Sequence, residues 1–475
     1  MKLIPTIGIE VHVQLNTMSK MFCSCRLSGQ DDSKPNQYIC PICIGLPGTL
    51  PTLNQKAVEL ALQIGHFLDA EIQEQSSFDR KNYFYPDLPK GYQITQFYQP
   101  IIRNGRLTIW LDDDNSSSIK ITEAHLEEDA AKAIHPEGQP YSQIDFNRAG
   151  APLLEIVSAP DMATPEEAKR YLTELYLLVT SIGACQGDMQ KGHFKFDLNI
   201  SVAEEGSTTL GTRTELKNLN SFRFAKKALE YEIDRQIYLL SSGKIVIQET
   251  RGYNEAEGKT FSQRNKEDSD GYRYFPEPDI PPLDLKTSLI DATRPDTTSS
   301  IQLRGLLQSA GLSLRVQDTI LLDPKSRLLF MQTLAIFDND PAKIKPISNW
   351  LIGEYQTIES PNLSASHLRQ LIELIEASVI SNNLAKEIFP DICQGRSPQD
   401  IIKERGLTQI NDQSIIDSIL RQVIGNNPEA VTQYQSGEQK ILGFLIGQAM
   451  KETKGQANPQ LIRKTLVDLL DNMLQ

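Results

Sequence analysis

Residues 8–15 read GIEVHVQL, and their alternation decides the fold of the first half of the chain. Ile9, Val11, Val13 and Leu15 alternate with Glu10, His12 and Gln14. A period of two places successive side chains on opposite faces of a β-strand. One face is then apolar, and the other carries a carboxylate two residues from an imidazole. Solvent exposure accounts for Gln14. It accounts less well for a Glu–X–His pair in a β-branched strand, which marks Glu10 and His12 as candidates for chemistry.

Working outward, short β-branched runs recur through residues 1–290, among them ITQFYQPII, RLTIWL, IKIT, FDLNISV and KIVIQET. Three helices interrupt them. One is expected near 54–68, with Asn54 as N-cap and Ala57, Leu60, Ala61, Ile64 and Phe67 as its apolar stripe. The second, near 164–182, has Thr164 as N-cap, Pro165 at the first position and Glu166 and Glu167 in the first turn. The third begins near Ser221 and runs to about 241. This pattern is α+β, with one large mixed or antiparallel sheet. Residues 275–300, rich in Pro, Asp, Thr and Ser, read as the exit from the first domain. Helical periodicity dominates beyond, at 301–311, 324–337, 341–355, 365–378, 382–388, 397–405, 413–424, 436–451 and 458–473. Gly406, Gly425 and Gly455 read as stops.

The chain has 475 residues, 39% hydrophobic and 23% charged, which suits a protein of two or three domains with proper cores. Its net charge of −13 argues against bulk nucleic-acid binding. The charge is uneven: residues 297–475 carry 17 basic against 19 acidic groups, so that part is nearly neutral and local basic patches remain open there. The opening MKLIPTIGIEVHVQL lacks a basic segment followed by a continuous apolar core, and no apolar run approaches a membrane span. A cytoplasmic protein with no membrane partner is expected. Six cysteines in such a chain argue against a disulfide framework.

Four of those cysteines fall in two close pairs, Cys23 with Cys25 and Cys40 with Cys43. Four thiolates so spaced suit a closed, structural zinc site, although the first pair is tighter than the usual C-x-x-C. Cys185 and Cys393 sit among apolar neighbours and read as buried small hydrophobes. The string HLEEDAAK supplies His125, Glu127, Glu128 and Asp129, and LLEIVS supplies Glu155. Carboxylates with an occasional imidazole hold Mg²⁺ when substrate phosphates complete the shell; an acidic run is also an ordinary solvated face. Neither G-x-x-x-x-G-K-[ST] nor G-x-G-x-x-G occurs, so a nucleotide would need another kind of site. The loop FDRKNYFYPDLPKGYQ interleaves Arg80, Lys81, Lys90, Tyr83, Tyr85 and Tyr92, a mixture that suits phosphate, ribose or a nucleic-acid end, or else a loop packing its own tyrosines. No G-x-S-x-G or other nucleophilic triad is present. His66 and His367 read as structural.

Seven strings occur in order: GIEVHVQLNTMSKMFCSC, CPICIGLPGTLPTLN, FDRKNYFYPDLPKGYQITQ, HLEEDAAK, NRAGAPLLEIVSAPD, GTRTELKNLNSFRF and YRYFPEPD. Together they closely resemble the B subunit of the aspartyl/glutamyl-tRNA amidotransferase, GatB. The resemblance runs on through LRQLIELIEASVISNNLAKEIF, GLTQINDQSIID and FLIGQAMKETKGQANPQLIRKTL. It implies a cradle-like catalytic domain over 1–293 with a zinc-binding insertion at about 20–45. A helical domain over 294–405 and a YqeY-like, tRNA-contacting tail over 406–475 would follow. It implies a Mg²⁺-dependent site that uses ATP to phosphorylate the side-chain carboxylate of Glu on tRNA-Gln or Asp on tRNA-Asn. Ammonia from a glutaminase A subunit then displaces the phosphate, in a heterotrimer with a C subunit. The positions matching the family's catalytic motifs are Glu10, His12, Glu127, Glu128 and Glu155, and more distantly Asp197, Glu215 and Lys217. The expected Mg²⁺ ligands are Glu10, His12, Glu128 and Glu155. Arg80, Lys81, Tyr83 and Lys90 are expected to face nucleotide or substrate, and Lys451, Lys454, Arg463 and Lys464 to face tRNA. Two other readings stand beside this one: a tRNA-binding scaffold without catalysis, and a metallohydrolase of another phosphate ester. The stretch 187–201, GDMQKGHFKFDLNIS, is more basic and aromatic than the family's usual acidic run, through Lys191, His193, Phe194 and Lys195. Asp197, Asn199 and Ser201 keep their places.

Overall fold

The computed structural model describes residues 2–27, 34–265, 269–295, 298–407, 413–436, 438, 440–453, 457 and 459–473. The chain forms two compact units, Met1–Gly305 and Leu306–Gln475.

The first unit is organised by a nine-stranded sheet. From one edge to the other its strands are Lys259–Asn265, Glu249–Asn254, Thr214–Leu216, Phe194–Glu204, Leu3–Gln14, Pro152–Ser158, Ser116–Glu128, Ile102–Trp110 and Glu71–Ile72. Neighbours run antiparallel, except Thr214–Leu216 beside Glu249–Asn254, so the sheet is mixed. The opening strand lies in the middle, and its alternation holds: Ile7, Ile9, Val11 and Val13 are buried. Helices Gln55–Phe67, Pro165–Ser181 and Phe222–Ser241 supply the other half of that core, with Ala57, Ile64, Leu172, Leu175, Ala228 and Leu229. Each helix starts where its cap demands. Asn54 accepts the Lys56 and Ala57 N–H groups, Thr164 and Glu167 close a capping box, and Ser221 accepts from Phe224.

A buried ion cluster fastens the end of this unit. Glu174, on the helix Pro165–Ser181, is fully enclosed, as is Arg304. Arg304 Nη2 lies 2.7 Å from Glu174 Oε1 and its Nε donates to Oε2 at 3.0 Å. Arg170 also donates to Glu174 Oε1, at 3.0 Å. The segment that reads as an exit is woven into the unit. Phe275–Pro276 pairs with Asp79–Asn82, which pairs with Tyr92–Thr95, and Leu283–Asp284 pairs with Gln75–Ser76. Its polarity misleads because Ile280 and Leu285, spaced among the prolines, are core residues.

In the second unit, helices form as the periodicity predicts at Pro324–Ile336, Ala365–Glu376, Asn382–Ile392, Pro398–Arg405, Gln413–Asn426, Ile441–Glu452 and Pro459–Asn472. Leu314–Leu322 and Pro428–Gln435 are further helices that the periodicity does not single out, as is Thr287–Ala292 in the first unit. The span 341–355 breaks at Gly353, whose φ of −96° and ψ of −109° lie outside the helical region. Gly406, left-handed at φ +63°, ends its helix. Gly425 does not; the helix runs on to Asn426 and stops before Pro428. Gly455 lies outside the described residues. Ile416, Leu420, Val423, Leu445, Ala449, Ile462 and Leu466 form a core shared by the last helices. No described helix is long and apolar enough to cross a membrane.

Candidate active site

Sheet register builds the site. In the opening strand His12 lies opposite Glu155 on one side and Lys195 on the other, and Glu10 lies opposite Asp197. Glu155 in turn lies opposite His125, and Asn199 opposite Glu215. Residues directly opposite share a face. Period-two spacing adds Glu127 to the face of His125. One face of the sheet therefore carries a polar stripe across five neighbouring strands, while its reverse is the apolar core.

The stripe holds two compact donor sets. In the first, His12 Nε2 stands 3.3 Å from Glu155 Oε2 and 3.5 Å from Glu127 Oε1, and His125 Nε2 stands 3.1 Å from Glu155 Oε2. One ligand atom each from His12, Glu127 and Glu155 lie within 4.8 Å of one another. Burial works against the His12 imidazolium, but Glu155, Glu127 and Asp197 outweigh it and raise the group to about 9. Burial likewise opposes the charge on Glu155, yet the two imidazoles hold it well below the usual carboxylate range. Glu127 is pushed up by burial and by Glu155. His125 Nδ1 is buried and has no protein hydrogen-bond partner among the described residues.

In the second set, oxygens of Glu10, Asp197 and Glu215 lie within 4.8 Å of one another. Lys217 Nζ stands 2.6 Å from Asp197 Oδ2 and 3.5 Å from Glu215 Oε1. Asn199 Nδ2 donates to Glu10 Oε1 at 2.8 Å, and Thr250 Oγ1 donates to Glu215 Oε2 at 2.8 Å. Both sets are oxygen-rich and compact, as a Mg²⁺ donor set must be.

The four expected Mg²⁺ ligands are not one cluster. Glu128 falls one residue out of phase with Glu127 and points to the opposite face. There it accepts from Lys90 Nζ and, at 3.1 Å, from the Ile94 N–H. The basic loop also divides. Arg80 makes a bidentate pair with buried Glu277, at 2.7 and 2.9 Å, and packs over Tyr92 at 4.2 Å. Arg80 and Lys90 are thus committed to protein carboxylates. Lys81 and Tyr83 instead line a cleft of about 1460 Å³ together with His12, Glu127, Asp197 and Lys217. Burial disfavours the Lys81 ammonium, but Tyr274, Glu127 and Glu155 keep it above the ordinary amine range. The divergent stretch forms one wall of the cleft, from Met189 to Asp197. Lys195 in that wall pairs with Asp129 at 3.2 Å, while Phe194 turns inward against Tyr176.

In the loops that follow the opening strand, the Sγ atoms of Cys23, Cys25, Cys40 and Cys43 lie within 4.8 Å of one another, a spacing that fits a tetrahedral metal. The Cys40 N–H donates to Cys43 Sγ at 3.2 Å. The hydrogen bond from Cys23 lowers the Cys43 thiol against the effect of burial and so favours its thiolate. Cys185 and Cys393 are buried, as expected. In the second unit Lys451, Arg463 and Lys464 are exposed on their helices, and Lys454 lies outside the described residues.

A pH effect follows from His12. A group raised from 6.5 to about 9 binds its proton more tightly in the folded chain. Its contribution to stability is full below pH 6.5 and is lost as pH rises toward 9. With no divalent cation added, Tm is expected to fall over that range, and His12→Asn to flatten the slope. An unchanged slope in the variant assigns the proton elsewhere.

Two family models match the chain: the GatB/GatE catalytic domain over residues 5–291 and the GatB domain over 341–470. The B subunit of the aspartyl/glutamyl-tRNA(Asn/Gln) amidotransferase of Persephonella marina is 42% identical over 477 residues, 98% of this chain and 99% of the relative. Its counterpart in Caldanaerobacter subterraneus is 44% identical over 480 residues, with 98% and 99% covered. That of a Picosynechococcus species is 42% identical over 488 residues, with 98% and 97% covered.

Proposed function

Because this chain belongs to the family of aspartyl/glutamyl-tRNA(Asn/Gln) amidotransferase B subunits, we propose that its first unit activates the side-chain carboxylate of Glu on tRNA-Gln, of Asp on tRNA-Asn, or of both. The observation that carries this reading is the pair of donor sets on one sheet face, His12–Glu127–Glu155 and Glu10–Asp197–Glu215, with Lys81 and Lys217 directed at the same cleft.

A carboxylate is a poor acyl donor, since its leaving group is oxide. In the proposed reaction its oxygen attacks the γ-phosphorus of ATP, the bond to the bridging oxygen breaks, and ADP departs with the electron pair. The nitrogen of ammonia then attacks the acyl carbon, the bond to phosphate breaks, and phosphate leaves. The proton shed by nitrogen passes to the carboxylates of the cleft. The two donor sets would hold Mg²⁺, which neutralises phosphate charge when bound. Lys217, between Asp197 and Glu215, is placed to offer its ammonium to a phosphate oxygen, and Lys81 and Tyr83 to face nucleotide. Arg80 and Lys90 act on the loop that carries Lys81, fixing it through Glu277 and Glu128. The four cysteines would hold a structural Zn²⁺. Lys451, Lys454, Arg463 and Lys464 would meet tRNA, in a nearly neutral tail that recognises shape rather than charge.

The relatives' names mark them as one component of a larger enzyme. We assign this chain a glutaminase A subunit and a C subunit as cytoplasmic partners. The test is co-expression with both, then assay with glutamine and Mg²⁺ on Glu-tRNA-Gln and Asp-tRNA-Asn separately. Conversion of either, lost without ATP, is the expected result; binding of both without conversion assigns a scaffold role instead. In the same assay Lys217→Met is expected to lower amidation by about 10²-fold, the cost of one charge-stabilising donor. Glutamine hydrolysis should persist, and an unaltered amidation rate removes Lys217 from the site.

A further inference from the structure

Lys20 is fully buried. Its Nζ donates to the Phe146 carbonyl at 3.1 Å and to Cys43 Sγ at 3.5 Å. Among the described residues no carboxylate forms an ion pair with it. A buried ammonium without counter-charge is costly, and the group of negative charge within its hydrogen-bond reach is the Cys43 sulfur, with the Lys90-paired Glu128 carboxylate beyond it. Four thiolates around a divalent ion carry a net charge of −2, and one ammonium halves it. Gly150 packs beside both groups. Gly150 has φ +83°, and a Cβ there would stand 3.6 Å from Lys20 Cδ and 3.7 Å from Cys43 Cβ. The Met21 N–H bonds the Gly150 carbonyl at 2.7 Å, and the strand holding Glu155 begins two residues on.

We propose that Lys20 is a positioning residue for the four-cysteine centre, the fixed counter-cation of a zinc tetrathiolate and its tie to the turn that leads into the Glu155 strand. The proposal rests on the zinc reading above. Lys20 bonds both sides, the Cys43 sulfur and the Phe146 carbonyl of the turn.

The test uses the full chain in its complex, comparing wild type with Lys20→Met and Lys20→Arg. Zinc content is measured by atomic emission, and its release by transfer to a colorimetric chelator. Lys20→Met is expected to release zinc 10-fold faster or more, the usual scale for an outer-sphere partner, while Lys20→Arg stays close to wild type. In the cobalt-substituted protein, losing a hydrogen bond to thiolate should move the sulfur-to-metal charge-transfer band to lower energy in Lys20→Met. Zinc-loaded wild type and Lys20→Met with equal release rates and the same band overturn the proposal and leave the zinc reading standing. Wild type purified without zinc, and unable to take it up, overturns both. Should Lys20→Met fail to fold, Lys20→Gln keeps a donor but drops the charge: faster release supports the proposal and wild-type release overturns it.

Discussion

Glu155→Ala is expected to reduce ATP-dependent amidation by ~10³-fold or more, while the assembled enzyme still hydrolyses glutamine. Glu155 occupies the middle of the first donor set, 3.3 Å from His12 and 3.1 Å from His125. Its loss removes the anion that most raises His12 after burial is counted, and leaves Glu127 to face both imidazoles alone. A cluster with one carboxylate fewer also holds a divalent cation more weakly. The measurement is product formed from misacylated tRNA across a Mg²⁺ titration, with glutaminase followed in parallel. Loss of both activities indicates disassembly; normal amidation sinks the assignment. Glu128→Gln is the matched control. Its carboxylate faces the other way, so its effect should fall on stability around Lys90 rather than on Mg²⁺ dependence.

Glu174→Ala is expected to cost about 3–5 kcal/mol of stability, the range for removing one partner of a buried ion pair. Glu174 and Arg304 are both fully enclosed, and Arg170 shares the same carboxylate. The deletion removes the carboxylate that both guanidinium groups share in the interior, where neither can shed its charge. The shift in urea midpoint of the first-unit transition is the readout. A loss below about 1 kcal/mol means that water reaches the arginines and the pair is not sealed. Glu174→Gln should cost less, because it keeps an acceptor for one arginine.

Most of the architecture was legible locally. The period-two run at 8–15 placed Glu10 and His12 on a polar face, and the caps at Asn54, Thr164 and Ser221 located three helices to within a residue or two. The candidate site was legible in its members but not in its grouping. The same period-two rule, applied to His125–Glu128, already separates Glu127 from Glu128; the set of four ligands named from sequence mixed two faces of one sheet. What no local pattern holds is register. Glu10 meets Asp197, and Glu215 joins them, only because three distant strands align within one residue, and a slip of one would turn every side chain over. Arg80 and Lys90 show the same limit: beside tyrosines they look phosphate-directed, and their true partners, Glu277 and Glu128, are distant in the chain.

The central position of the opening strand also bears on synthesis. It leaves the ribosome well before its partners, since its neighbours in the sheet are residues 152–158 and 194–204. Its apolar edge must wait unpaired through the translation of more than a hundred residues, a long-range pairing of the kind that slows folding and invites aggregation. Each donor set has one member on that strand, so the first exists only after the Glu155 strand has emerged and the second only after the Glu215 strand. A product truncated before Glu215 therefore lacks the second set.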